Sequence, residues 1–115
     1  MKIVVFGLSI SSSWGNGHAT LGRGLCRALG RRGHRVVFFE HDVPYYASHR
    51  DGTSFEGCEL RLYDDWNGIR SAAQRELSDT DAAMVTSCCP DAEPPPIWYS
   101  CHQRGSAHST IWIHR

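Results

Sequence analysis

Ser11, Ser12, Ser13, Gly15, Asn16, Gly17 and His18 follow one another closely after the first apolar run of the chain. Hydroxyls and glycine-opened backbone amides in front of a helix suit the binding of a phosphate or of sugar hydroxyls. The same residue types also fill ordinary surface turns. His18 has an imidazole that titrates near neutrality, which suits a general base, although a first-turn histidine also serves as a local hydrogen-bonding group. Further along, Glu40 to Asp42, the pair Asp64 and Asp65, and Thr86 with Ser87 stand where strands are expected to end. Asp64 and Asp65 are suited to binding hydroxyls or orienting a base; such a pair equally makes a turn and a helix cap.

Two other chemistries are weighed and set aside. A dinucleotide fingerprint needs G-x-G-x-x-G in a tight turn directly after the first strand. Here Gly15 comes well after Gly7, and Thr20 occupies the position three past Gly17, so Glu40 at the place of a ribose-binding acid stands alone. A flavodoxin-type phosphate loop would rest on the serine run only. Cys88, Cys89, Cys101, His102 and His108 are zinc-ligand types, but the first two cysteines are adjacent and no C-x-x-C occurs. No metal and no cofactor is expected.

The elements that must position these groups follow from periodicity. Lys2 to Phe6 is a short β-branched run ending at Gly7, as in a buried parallel strand. From His18 or Ala19 the pattern turns helical, with Leu21, Leu25 and Leu29 as the apolar stripe and Arg23, Arg27 and Arg31 on another face. Gly33 fits the residue just past the helix end. Arg35 to Phe39 is a second strand, which completes a βαβ unit. A short helix is expected over Pro44 to Arg50, a third strand over Glu59 to Tyr63, and a helix capped by Asp65 or Asn67 running to about Leu77. Asp81 to Thr86 reads as the fourth strand. The fold class is therefore α/β, an open parallel sheet of about four strands. After Thr86 neither period persists, and residues 91–115 are expected to be irregular, Ile111 to Ile113 being the one candidate for an edge strand.

With 115 residues the chain is expected to hold one domain and one modest core. Twelve basic and twelve acidic residues cancel, which argues against a nucleic-acid partner or a polybasic membrane surface. No apolar run approaches the ~20 residues of a membrane span. Five cysteines, an odd number without a C-x-x-C pair, favour a reducing cytoplasm over a disulfide framework.

Gly15-Asn-Gly-His-Ala-Thr-Leu21, then Leu25-x-x-x-Leu29, then Arg32-Gly-His-Arg-Val-Val-Phe38 resemble the opening of a GT-B glycosyltransferase. Within those enzymes the stretch from Gly15 to Tyr46 is most similar to bacterial proteins of the spore-maturation, glycosyltransferase-like type. Asp64-Asp-Trp66 and Asp81 to Ser87 extend the likeness, which covers about residues 1–91. The resemblance implies a partial, Rossmann-like N-terminal domain over residues 1–90, the acceptor-side half of an enzyme that moves a sugar from a nucleotide-sugar to an acceptor. The family's Gly-His position carries over to Gly17 and His18, with His18 as the expected catalytic base, while strand-end geometry and the helix N-terminus place the expected substrate contacts at Ser11, Ser12, Gly15, Asn16, Gly17, Glu40, Asp64 and Asp65. The resemblance also implies a missing C-terminal domain that binds the nucleotide-sugar, so the chain alone is expected to be inactive. The tail, residues 91–115, is expected to be a frameshifted or miscalled end. The competing expectations are a free-standing Rossmann-like module for a small phosphate- or hydroxyl-bearing ligand, and a non-functional truncated product.

Overall fold

The computed structural model describes residues 1–7, 9–14, 17–85 and 109–112. In chain order these form β1 (Lys2–Gly7), α1 (Gly17–Arg31), β2 (Arg35–His41), α2 (Pro44–Ser48), β3 (Cys58–Tyr63), α3 (Trp66–Ser78), β4 (Ala82–Val85) and β5 (Ser109–Trp112). All pairings are parallel and the strands lie in the order β3-β2-β1-β4-β5. The chain moves outward from β1 through β2 and β3, then returns to the other side of β1 for β4. This is the doubly wound, Rossmann-like arrangement expected from the alternation of strands and helices.

Alternation along the strands sorts the core onto two faces. Val4, Phe6, Val37, Phe39, Tyr63, Ala83 and Val85 pack beneath α3, which contributes Trp66, Ala73 and Leu77. Phe6 stacks on Phe39 at 5.2 Å between ring centroids and meets Trp66 edge-on at 6.0 Å. Ile3, Val5, Val36 and Phe38 point the other way, to Ile10 and Cys26 of α1 and the segment before it. β1 lies between β2 and β4 and is buried along its whole length, so its side chains need apolar cover on both faces.

The packing of α1 corrects the helical reading. The leucine stripe does not face the sheet: Leu21 is 67% and Leu25 39% exposed. The helix docks instead through Ala19, Gly22 and Cys26, with Leu29 partly covered. The reason is close approach. A Cβ added at Gly30 would lie 2.4 Å from the Gly57 Cα, so only a glycine edge lets the helix come this near the turn before β3. The helix ends as expected at Gly33, where φ is 85°, with the Gly33 amide donating to the Gly30 carbonyl and the His34 amide to that of Leu29.

Within the tail, the described segment 109–112 is a strand that overlaps the edge-strand candidate Ile111 to Ile113. β5 pairs with the outer edge of β4, Ala82 opposite Ser109 and Val85 opposite Trp112. Ser-Thr-Ile-Trp contains strand-favouring residues, and the edge of β4 offers unpaired N–H and C=O groups to such a segment. The remainder of the tail lies outside the described residues. The expected cap at Asp65 holds by position; its side chain makes no capping hydrogen bond.

At the amino ends of the strands, Lys2 forms a largely buried ion pair with Glu76 at 2.7 Å and a further one with Asp79. Its Nζ also donates to the Glu76 carbonyl at 2.9 Å. The bond from Lys2 holds the Glu76 carboxyl below its ordinary value, against the opposing effect of burial. This cluster fastens α3 to β1 at the end of the sheet away from the site.

Candidate functional site

In an open parallel sheet, ligands settle beyond the carboxyl ends of the strands, where neighbouring strands send the chain in opposite directions. Here that point lies between β1 and β4, and the segment leaving β1 there is the serine-rich loop. The loop is fastened from below by Glu40, the residue paired with Gly7 across β1 and β2. One oxygen of the Glu40 carboxylate accepts from the amides of Ile10 at 2.7 Å and Ser11 at 2.9 Å. The other accepts from the Ser11 hydroxyl at 2.5 Å. Three donors satisfy an acid that is wholly buried, which offsets the cost of removing it from water.

A second set of bonds ties the loop to the segment after α2. Arg50 donates to the Ser11 hydroxyl at 3.2 Å and pairs with Asp42 at 2.5 Å. The Ser12 hydroxyl donates to the His49 carbonyl at 2.8 Å, and the Ser11 carbonyl accepts from the Asp51 amide at 2.9 Å. Asp51 takes hydrogen bonds from the Ser13 hydroxyl and from Arg23, and these hold its carboxyl down at about 2. Arg23 also donates to the Ile10 carbonyl at 2.7 Å and lies over the Phe55 ring.

Trp14, at the outer end of this loop, stacks on His49 with centroids 4.8 Å apart and planes 14° from parallel. Trp14 and Tyr45 are both more than half exposed, at 58% and 53%. The pair forms an aromatic rim carried by the loop after β1 and the helix after β2. Apolar ring faces beside polar groups are the surfaces on which amphipathic ligands settle.

The sequence-expected residues fall into three sets. Ser11, Ser12 and Glu40 come together, all with 0% exposure, as the internal fastening of the loop. Asp64 and Asp65 are exposed at the end of β3, and the Asp64 carbonyl bonds the His41 ring at 2.7 Å, linking the ends of β2 and β3. Gly17 opens α1 and is exposed. His18 belongs to the first turn of α1; its imidazole lies outside the described residues, as do Gly15, Asn16, Thr86, Ser87 and the candidate zinc ligands from Cys88 to His108. Among the described residues no three His, Cys, Asp or Glu side chains group to hold a metal ion. None of the helices there is long and apolar enough to cross a membrane.

Sequence reasoning missed Trp14, Arg23, His49, Arg50 and Asp51. Their only signal was nearness to the serine run or to the end of the second strand, and arginine spacing puts Arg23 on a different face from the leucine stripe. The chain matches no protein-family model, no curated protein and no solved structure.

Proposed function

We propose that this chain forms the acceptor-side, Rossmann-like half of a glycosyltransferase of the GT-B kind. The observation that carries the reading is the serine-rich loop at the point where the strand order reverses, held on Glu40 with the aromatic rim of Trp14 and Tyr45 beside it. Ser11, Ser12 and Glu40 shape the loop from inside. The acceptor sugar meets the Gly15–Gly17 backbone, the ring of Trp14, and the exposed carboxylates Asp64 and Asp65. His18 takes the proton from the acceptor hydroxyl as its oxygen attacks the anomeric carbon. The bond from that carbon to the nucleoside diphosphate breaks, and the diphosphate leaves with the electron pair. Donor binding and leaving-group stabilisation belong to a second domain facing this crevice, so transfer requires that domain.

The second reading is a free-standing module that binds a small hydroxyl- or phosphate-bearing ligand. It is favoured by the hydrogen bonds that Glu40, Arg50 and Asp51 of this chain make to the loop. Titration of the ¹⁵N-labelled 115-residue chain with methyl glycosides, nucleotide-sugars and inorganic phosphate tests the acceptor-side reading. The transferase reading expects glycosides to shift amides of residues 9–18 and 45–51, and His18→Ala to leave that binding largely intact. Phosphate as the sole ligand favours the free-standing module. No response to any glycoside rejects the acceptor-side reading.

A further inference from the structure

Cys26 and Cys58 lie far apart in the chain and carry no recognisable spacing, yet the fold sets them side by side. Cys26 is on the sheet-facing side of α1 and is 1% exposed; Cys58 opens β3, is partly exposed and packs into the same apolar cluster. The backbones are in contact at this crossing: a Cβ on Gly57 would lie 2.7 Å from the Cys26 carbonyl oxygen and 2.9 Å from the Gly30 Cα. Both thiols are free. The neighbouring Cys58 thiol lowers Cys26 below an ordinary thiol, outweighing burial, while Cys58 is pushed up by Cys26 and by burial. One sulfur of the pair therefore ionises more readily than a lone buried cysteine, which is the form that reacts with oxidants.

We propose that Cys26 and Cys58 are a reversible dithiol–disulfide pair that staples α1 to β3, with hydrogen peroxide as the class of oxidant. The thiolate of the pair attacks one peroxide oxygen, the O–O bond breaks, and the departing hydroxide takes a proton to become water. The sulfenic acid formed is then attacked by the second sulfur. The S–S bond forms, the S–OH bond breaks, and hydroxide leaves with the second thiol's proton as water. Two thiols and one peroxide give one disulfide and two waters, and a dithiol reductant reverses the change. Cys58 is the partly exposed member of the pair. The staple joins the edge strand to the helix whose first turn borders the crevice, and this inference stands whether or not the crevice binds a sugar.

The test is peroxide treatment of the full reduced chain, followed by alkylation and peptide mapping without reduction. The expected result is a cross-linked peptide joining Cys26 to Cys58, lost on treatment with dithiothreitol. A variant with Cys88, Cys89 and Cys101 all changed to Ser should still lose about 2 Da on oxidation and gain roughly 5–15 °C in Tm. Complete alkylation of Cys26 and Cys58 after peroxide treatment overturns the proposal. So does their recovery only as sulfinic acids or in disulfides between molecules.

Discussion

Glu40 and Ser11 are twenty-nine residues apart in sequence, yet the Glu40 carboxylate takes hydrogen bonds from both the amide and the hydroxyl of Ser11, fully shielded from water. The second strand thereby sets the shape of the loop that leaves the first. Glu40→Gln would turn one acceptor into a donor facing donors. That change is expected to cost about 2–4 kcal/mol, since removing the acceptor leaves buried groups unsatisfied. Thermal unfolding and hydrogen exchange of the 9–14 amides measure it; unchanged protection there would show that the loop does not depend on this contact.

Trp14 is held in place by the loop while more than half of its surface stays open. Trp14→Ala should weaken glycoside binding about five- to tenfold, for a stacking contribution of about 1–1.5 kcal/mol. Because the ring is exposed, Tm should move little. Intrinsic fluorescence and calorimetric titration provide the check, and equal affinity in the two proteins would remove the aromatic rim from the site.

Glycines in α1 should respond in opposite directions. At Gly24 nothing lies within 4 Å of an added Cβ, so Gly24→Ala is expected to stabilise by about 0.5–1 kcal/mol through helix propensity. At Gly30 the added carbon meets the Gly57 backbone, and overpacking of about 1–3 kcal/mol should prevail over the propensity gain. Denaturant midpoints of the two variants decide the matter. A stabilised Gly30→Ala protein would mean that the close crossing of α1 and β3 is not required.

The ion pair of Lys2 and Glu76 predicts an acid limb. Because the folded Glu76 carboxyl titrates below its ordinary value, its stabilisation is fully present above about pH 4.5 and is lost as pH falls through the folded value. Glu76→Gln should therefore have a lower Tm than the parent at pH 7, with the difference closing toward pH 3. A gap that persists at pH 3 would assign the loss to packing instead of charge.

Much of the frame is legible in the chain because its causes are local. Val4, Phe6, Val37 and Phe39 alternate with Ile3, Val5, Val36 and Phe38, and that period alone assigns them to opposite faces of one sheet. Gly33 announces the end of the first helix through a backbone conformation that glycine adopts without strain. The βαβ order follows from the same local patterns, and with it the end of the sheet at which open α/β folds place their ligands. What tertiary structure decided depends on partners distant in sequence. Gly57 turned the glycine edge of α1 inward and left Leu21 outside; β4 supplied the edge on which Ser109–Trp112 pairs. Cys26 met Cys58, and Glu40 left the rim to become the anchor of the loop. Periodicity reports which way a side chain points along its own element, whereas these outcomes depend on how closely two elements approach, and that distance is set only when the whole sheet packs.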